Sequence, residues 1–476
     1  MSLWKQIPAF IVLTFLIGAS ATSSAADKPP NVLLILIDDM GWADLGCYGS
    51  RFHETPAIDR LASQGMRFTD FYAAGAVCSP TRASIQSGQY QARLGITDFI
   101  PGHFRPYAPL RVPEVTGALP LEIMTPAEML KTKGYHTAYF GKWHLGGADH
   151  EPSHQGYDES FVSSGRHFAP QFRTNPSADI PDGTYLADWL TDQTIQFMAD
   201  HREEPFFVML SHYAVHIPLE AKEETIEKYR EKPKPEDGVN NPIYAAMVEH
   251  VDESVARLMQ SLDNLEIAEN TLVIFTSDNG GLYQTASARA DSAIVCSNAP
   301  LRDEKGTLYE GGIRVPLICR WPGVIAPGTE CDEPTISIDF WPTLADVSGF
   351  EGEASQDIDG LSLVPLFNDS DATLDRKAIY FHYPHYHHSR PAGAIRVGDW
   401  KLIEFFEDDR LELYNLEDDI SEERNLATEQ PERASRLRAQ LEEWRESIDA
   451  AMPTPNPDHD PARELSIERG NRRNRR

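Results

Sequence analysis

Four stretches of the chain read as strands, three of them apolar at nearly every position, and each stops abruptly at polar residues. Asn31–Ile37 runs into Asp38-Asp39-Met40-Gly41, and Tyr135–Phe140 into Gly141-Lys142-Trp143-His144. Pro205–Leu210 runs towards His212 and His216, and Thr271–Phe275 into Thr276-Ser277-Asp278-Asn279-Gly280. Unbroken apolar runs, as opposed to alternating ones, predict strands buried on both faces, the habit of a parallel sheet covered by helices. Met66–Tyr72 is a fifth strand-like run, leading to Cys78-Ser79-Pro80-Thr81-Arg82.

Between these runs the apolar spacing becomes helical. Residues 55–65 predict a short helix closed by Gly65, and residues 125–134 another closed by Gly134. Residues 185–201 are helical, and over 243–262 Tyr244, Met247, Val248, Val251, Val255 and Leu258 make one apolar stripe. A helix over 81–86 would place Cys78 near its N-terminus, where the helix dipole favours negative charge. Another helix starts within Ser337–Asp346. The segment 220–240, rich in Lys, Glu and Pro, reads as a solvated excursion.

Residues 351–375 are acidic and turn-rich and mark a boundary. Beyond it, Ala378–Phe381, Ile395–Ile403 and Arg410–Tyr414 read as strands, followed by a helix with Leu437, Leu441, Trp444 and Ile448 on one face. From Pro453 onward the apolar content is too low to fold, which predicts a disordered polar tail. At the other end, Lys5, an apolar run from Ile7 to Gly18 and the small residues Ser24-Ala25-Ala26 have the layout of a cleaved export signal. The run is short for a membrane span, with an uncleaved anchor as the alternative. The expected division is a signal peptide over 1–26, a main domain over 30–370, a subdomain over 376–450 and a tail over 453–476. The expected location is periplasmic or secreted, with no stable membrane span.

Composition changes this picture in two respects. Across 476 residues the hydrophobic and charged shares, 41% and 24%, are those of a globular protein, but the formal net charge is −30. That charge argues against nucleic acid as a partner and requires a local basic pocket for any anionic ligand. Five cysteines, Cys47, Cys78, Cys296, Cys319 and Cys331, leave an odd one in an exported chain. Cys78 is the candidate for a separate role; the others could form no, one or two bridges, and no Cys/His spacing points to zinc.

Ligands of open α/β sheets gather beyond the carboxyl ends of strands, where the polar residues above fall. Asp38, Asp39, Asp278 and Asn279 form an all-oxygen set suited to a hard cation, Ca²⁺ or Mg²⁺. Each half also reads as ordinary local structure, a helix cap for Asp38-Asp39 and a turn for Asp278-Asn279-Gly280. Lys142 and His144, two apart, point the same way in extended chain. Lys305 precedes the glycine-punctuated stretch that ends at Gly312. A cation, Arg82, Lys142 and Lys305 on one rim would receive a tetrahedral oxyanion ester, phosphate or sulfate.

In chain order, Asp38-Asp39, Cys78-Ser79-Pro80-Thr81-Arg82, Gly141-Lys142-Trp143-His144, His216-Ile217-Pro218, Asp278-Asn279-Gly280-Gly281 and the Lys305-to-Gly312 stretch resemble the motifs of the type I sulfatases. The resemblance extends from about Asn31 to the C-terminal helix and is greatest to the branch of arylsulfatases and N-acetylgalactosamine sulfatases. It implies an α/β fold: an alkaline-phosphatase-like sandwich with a central, mostly parallel sheet flanked by helices, and a smaller C-terminal antiparallel-sheet-and-helix subdomain. It implies sulfate ester hydrolysis by a formylglycine made from Cys78, the product of a formylglycine-generating or anaerobic sulfatase-maturing enzyme. One Ca²⁺ would be held by Asp38, Asp39, Asp278, Asn279 and an oxygen of converted residue 78. The hydrated aldehyde, polarised by the metal and Arg82, would attack sulfur. Lys142, His216 and Lys305 would hold sulfate oxygens, with His216 or Lys305 assisting the leaving alcohol. His144 would take the second diol proton so that sulfate is expelled. A serine near the sulfate is also implied, with Ser163 and Ser164 as candidates.

The expected substrate is a sulfated carbohydrate, a galactose or N-acetylgalactosamine sulfate. The cluster His382, Tyr383, His385, Tyr386, His387, His388 and Arg390 and the loop from Gly102 to Tyr107 are candidate sugar subsites, with exposed polar loops as the plainer reading. The alternatives on the same scaffold are a phosphonate or phosphodiester hydrolase, whose members generally carry histidine where Asn279 stands, and a non-catalytic binding protein.

Overall fold

The computed structural model describes residues 28–235, 239–283 and 295–464, so the expected signal peptide over 1–26 lies outside the described residues. Nine strands make the main sheet: β1 (Asn31–Ile37), β2 (Met66–Phe68), β3 (His136–Gly141), β4 (Glu159–Ser164), β5 (Arg173–Asn175), β6 (Phe206–Ser211), β7 (Thr271–Ser277), β8 (Leu317–Arg320) and β9 (Thr329–Cys331). Their spatial order is β9-β2-β8-β7-β1-β6-β3-β4-β5. The central strands β7-β1-β6-β3-β4 are mutually parallel, as the unbroken apolar runs predict. The flanks differ: β8 runs antiparallel between β7 and β2, and β5 is antiparallel to β4.

Successive residues of β1 serve opposite layers, because side chains alternate across a strand. Leu33, Ile35 and Ile37 pack with the helices Pro56–Ser63, Leu186–Asp200 and Pro242–Asn264. Val32, Leu34 and Leu36 face Pro126–Lys131, Phe340–Ser348 and the inner side of Cys78–Ser87. A second, four-stranded antiparallel sheet consists of β10 (Ile379–Tyr383), β11 (Ala392–Val397), β12 (Trp400–Phe405) and β13 (Leu411–Asn415), packed under the helix Pro431–Ser447. Its core includes Tyr72, Ala76, Val77 and Leu308, so the small sheet backs directly onto the segment that ends at Cys78.

Buried charges tie the two parts together. Lys401 on β12 is fully buried, its Nζ 2.7 Å from Glu310 Oε1 and 2.9 Å from Glu422 Oε1. Glu422 Oε2 accepts from Glu310 N at 2.7 Å, and Tyr72 donates its hydroxyl to Glu310 Oε2 at 2.7 Å. Burial of such charges is tolerated because each has an opposite partner and hydrogen bonds. Burial first, with Glu310 beside it, pushes the Glu422 carboxyl up to about 7 despite the nearby Lys401.

Two expectations are corrected, and the open question of the cysteines is answered. Segment 220–240 contains the helix Glu223–Glu231, which buries Thr225, Ile226 and Tyr229; the surrounding Lys and Glu concealed so narrow a face. The tail expected to be disordered from Pro453 is docked at its start. Thr454 and Pro455 pair with Arg111 and Leu110, and Asn456 donates to the carbonyls of Pro106 and Ala108 at 2.8 and 2.7 Å. Backbone hydrogen bonding holds this segment where apolar content would not; residues 465–476 lie outside the described residues. All five cysteines are free thiols, so none of the possible bridges forms. No helix among the described residues is long and apolar enough to cross a membrane.

Candidate active site

β7, β1, β6 and β3 end side by side. Beyond β1, Asp38 N donates to Ala214 O at 3.0 Å and Val215 N to Asp38 O at 2.7 Å, joining the exits of β1 and β6. Asp39 then takes φ +64°, which aspartate tolerates better than most residues, and its N–H donates to Asp278 Oδ1 at 3.2 Å. At the end of β3, Gly141 has φ +121° and a Cβ there would collide with the Ser211 carbonyl. Only glycine allows this crossing, after which Lys142 N donates to Ser211 O at 2.9 Å.

The helix Cys78–Ser87 begins at the cysteine and is buried at every residue. One turn on, Arg82 donates from Nε and Nη2 to Asp278 Oδ2 at 2.9 and 2.7 Å, and from Nη1 to Lys142 O and Ser211 Oγ at 2.7 and 2.6 Å. The arginine thus locks three strand ends to the cysteine helix. Cys78 Sγ lies 3.3 Å from Lys142 Nζ, 3.4 Å from Lys305 Nζ and 3.5 Å from Asp38 Oδ1. Despite the helix N-terminus, burial pushes the thiol up to about 12, against the pull of the two lysines. Burial of this kind favours the thiol over the thiolate, the form that reacts.

Each lysine is held by one carboxylate: Lys142 Nζ is 2.6 Å from Asp38 Oδ2 and Lys305 Nζ 2.5 Å from Asp39 Oδ1. Burial opposes charge on both aspartates, but Lys142 at Asp38 and Lys305 at Asp39, with His216 near both, hold their carboxyls below the usual range. Burial raises Asp278 to about 6 even beside Arg82.

The same cluster tests whether a cation fits. Ligand atoms of Asp38, Asp39, Cys78 and His216 all lie within 4.8 Å of one another. Asp39 Oδ2 and Asn279 Oδ1 are buried without a hydrogen-bond partner, while Asn279 Nδ2 donates to Asp39 Oδ1 at 2.8 Å. Two orphaned oxygens beside three acidic side chains are costly in protein alone and suit a hard cation. His216 was not among the expected ligands; its Nε2 is 3.8 Å from Asp39 Oδ2.

The histidines are arranged as neutral bases. His144 Nε2 must carry the proton because it donates to the Ile100 carbonyl at 2.7 Å, leaving Nδ1 bare, buried and without a hydrogen-bond partner. Burial, then Lys142 and Arg82, pulls this imidazole down to about 3. His216 donates from Nδ1 to Ile217 O at 2.6 Å, and burial with Lys142 pulls it down to about 4.

Above Cys78 opens a cavity of about 330 Å³ whose lining includes Asp39, His144, His216 and Lys305, with Phe99, His103, Leu282, His387 and His388 among its walls. The expected histidine cluster is therefore split. His382 and His385 point inward, Nε2 of each bonded to Ala451 O at 3.0 Å and to Thr97 Oγ1 at 2.8 Å. Only His387 and His388 of that cluster line the cavity, and Ser163 and Ser164 do not. Missed from the sequence were Ser211, which binds Arg82 from yet another strand end, and Asp98, a buried carboxylate behind His103. The strand-end position was the available signal for Ser211.

Residues 30–350 match the family described as Sulfatase, and residues 303–447 that described as N-sulphoglucosamine sulphohydrolase, C-terminal. Arylsulfatase A of Homo sapiens is 33% identical over 81% of this chain and 77% of its own. N-acetylgalactosamine-6-sulfatase of Rattus norvegicus is 32% identical over 78% and 72% respectively. The crystal structure of Ps i-CgsB in complex with k-i-k-neocarrahexaose is similar with a TM-score of 0.77 and 28% identity, covering 91% of this chain and 96% of that one.

Proposed function

The chain belongs to the sulfatase family and is a sulfuric ester hydrolase of alkaline-phosphatase-like fold, and we propose that it removes sulfate from a carbohydrate, of galactose or N-acetylgalactosamine type, using a formylglycine made from Cys78 and one Ca²⁺. The observation that carries this reading is the setting of Cys78 Sγ, faced by two ammonium groups at 3.3 and 3.4 Å on the floor of a cavity. A thiol raised to about 12 by burial is a poor nucleophile at neutral pH, whereas an oxygen species at that position is well served by its neighbours. The relatives named for N-acetylgalactosamine-6-sulfate and the neocarrahexaose complex support a sugar substrate.

Asp38, Asp39, Asp278 and Asn279 would hold the Ca²⁺ together with residue 78; the two orphaned oxygens support that set. The cation would supply positive charge at the attacking oxygen, and the hydrated aldehyde a nucleophilic hydroxyl with a second hydroxyl as an exit. Lys142 and Lys305 bring two positive charges to residue 78, where the transferring sulfuryl group would sit, and their carboxylate partners fix their positions. Lys305, an ammonium on the cavity side, stands where a leaving alcohol needs a proton, while neutral His216, its own proton committed to Ile217 O, lines the same cavity. His144 offers bare Nδ1 to a proton departing from residue 78. Arg82 orients Asp278 and Lys142 from behind.

Export to the periplasm or medium, and conversion of Cys78 by a maturing enzyme, complete the proposal. Mass spectrometry of the peptide containing residue 78, alongside sulfate release from defined sulfated galactose and N-acetylgalactosamine sugars, tests it. An active preparation whose residue 78 is all cysteine would overturn the mechanism; turnover of none of the sugars would overturn the substrate.

A further inference from the structure

A buried carboxylate–imidazole pair, Asp98 and His103, stands in the cavity wall, and none of the catalytic roles above uses it. Asp98 is fully buried, and its four hydrogen bonds all come from donors. Phe99 N and the Tyr383 hydroxyl donate to Oδ1 at 2.9 and 3.0 Å, and His103 N and Nδ1 both donate to Oδ2 at 2.8 Å. Four donors keep the carboxylate ionised: burial would raise its pKa, but the His103 hydrogen bond and the nearby His385 bring it down to about 2. An acceptor-only partner at Nδ1 fixes the tautomer of His103 and leaves Nε2 on the opposite edge of the ring.

The ring itself is clamped. Phe99 and His387 meet it edge-on, at centroid distances of 4.6 and 4.4 Å and interplanar angles of 82° and 85°. His103 lines the same cavity as Cys78, yet it touches neither Cys78 nor either active-site lysine by any hydrogen bond among the described residues. A side chain this constrained by packing and by a second layer of hydrogen bonds is preorganised for a ligand. The neighbouring walls, Phe99, Ile217 and Leu282, are apolar and suit the C–H face of a ring.

We propose that His103 is a specificity-determining residue, whose Nε2 accepts a hydrogen bond from a ring hydroxyl of the sulfated sugar, and that Asp98 is its positioning residue. The inference rests on the carbohydrate reading and adds to it the residue that tells a sugar from any other sulfate ester. Tyr383 brings the small sheet into this arrangement, because β10 ends at the hydroxyl that holds Asp98.

The discriminating measurement is a ratio: kcat/KM for the preferred sugar among galactose 4- and 6-sulfate and N-acetylgalactosamine 4- and 6-sulfate, divided by kcat/KM for 4-nitrophenyl sulfate, which has no ring hydroxyl. His103→Ala lowers this ratio about 10-fold or more, the scale of one lost hydrogen bond to substrate. Asp98→Asn, which frees Nδ1 to become the acceptor, lowers it in the same direction, and His103→Gln restores part of the loss. Thermal melting reports folding, and if Asp98→Asn does not fold, the two His103 variants decide. A ratio unchanged in His103→Ala, whether both activities fall together or neither falls, overturns the proposal. Wild-type enzyme that turns over 4-nitrophenyl sulfate and none of the sugars overturns the carbohydrate reading instead, and this assignment with it.

Discussion

Lys305 Nζ lies 2.5 Å from Asp39 Oδ1, so one of the two ammonium groups facing residue 78 is held by a carboxylate of the candidate cation site. Lys142 and Asp38 repeat the arrangement at 2.6 Å. Each lysine therefore has two tasks, charge towards the ester and balance for an acid. Lys142→Ala and Lys305→Ala are each expected to lower kcat about 10²- to 10³-fold, as loss of a preorganised charge at a transition state does. Arginine at either position recovers little, since its fork cannot stand in for a compact ammonium between one oxygen and residue 78. Steady-state sulfate release by the purified variants checks both points.

The orphaned Asp39 Oδ2 and Asn279 Oδ1 make the folded state a receptor for a cation. Adding Ca²⁺ at about 100 times its dissociation constant is expected to stabilise the fold by about 2.7 kcal/mol, and chelation to reverse it. Asn279→Ala blunts the effect. Thermal melts with Ca²⁺ and with chelator measure it directly, without reference to activity, and identical melts in the two conditions would refute a cation at this site.

His144 presents bare Nδ1 because Nε2 is committed to the Ile100 carbonyl. The exit-step role proposed for it predicts an asymmetric defect. His144→Ala should release about one equivalent of alcohol quickly and then slow about 10²- to 10⁴-fold, with sulfate lagging behind alcohol. Since the imidazole titrates at about 3, activity assigned to it shows no acid limb between pH 5 and 8. Parallel assays of alcohol and sulfate against pH test both parts.

His212, His382 and His385 are buried, and burial pulls each down to about 4 from an ordinary value of 6.5. Between those values the unfolded chain holds protons that the folded chain does not. Stability is therefore greatest above about pH 6.5 and falls as pH drops towards 4, by up to about 1.4 kcal/mol per pH unit for each histidine. Urea midpoints measured from neutral pH to about pH 5 should show this fall, and His212→Gln should make it shallower.

Much of the site was legible because it sits where the period of the chain breaks. Asp38, Lys142 and Asp278 follow strands whose unbroken apolar runs announce a buried parallel sheet, and ligands of such sheets collect at those ends. What was not legible depends on contacts between distant segments. His382 and His387 look alike in a histidine-rich string, but β10 ends at Tyr383, so His382 is a sheet residue turned into the core while His387 follows in a loop facing the cavity. Three of the four donors to Asp98 lie within five residues of it, but its burial beside the cavity depends on contacts such as the Tyr383 hydroxyl, 285 positions away. Thr454 and Pro455 pair through main-chain groups, which leave no trace in apolar content.

The helix Cys78–Ser87 is buried at every residue, and part of what encloses it comes from much later in the chain. Gly306 N bonds to Ala76 O, Lys305 faces Sγ, Ala74 N bonds to Ser337 Oγ, and the small sheet backs the approach. Synthesis runs from the N-terminus, so Cys78 emerges well before any of these groups exists. The linear order of the chain is thus a schedule: the thiol lacks part of its cover while the later third is still being made, when the proposed modifying enzyme would have access, and is shut away once that third docks. On the proposed conversion of Cys78, modification would race against folding, and conditions that hasten folding relative to modification would leave a larger share of molecules complete in shape but still carrying cysteine.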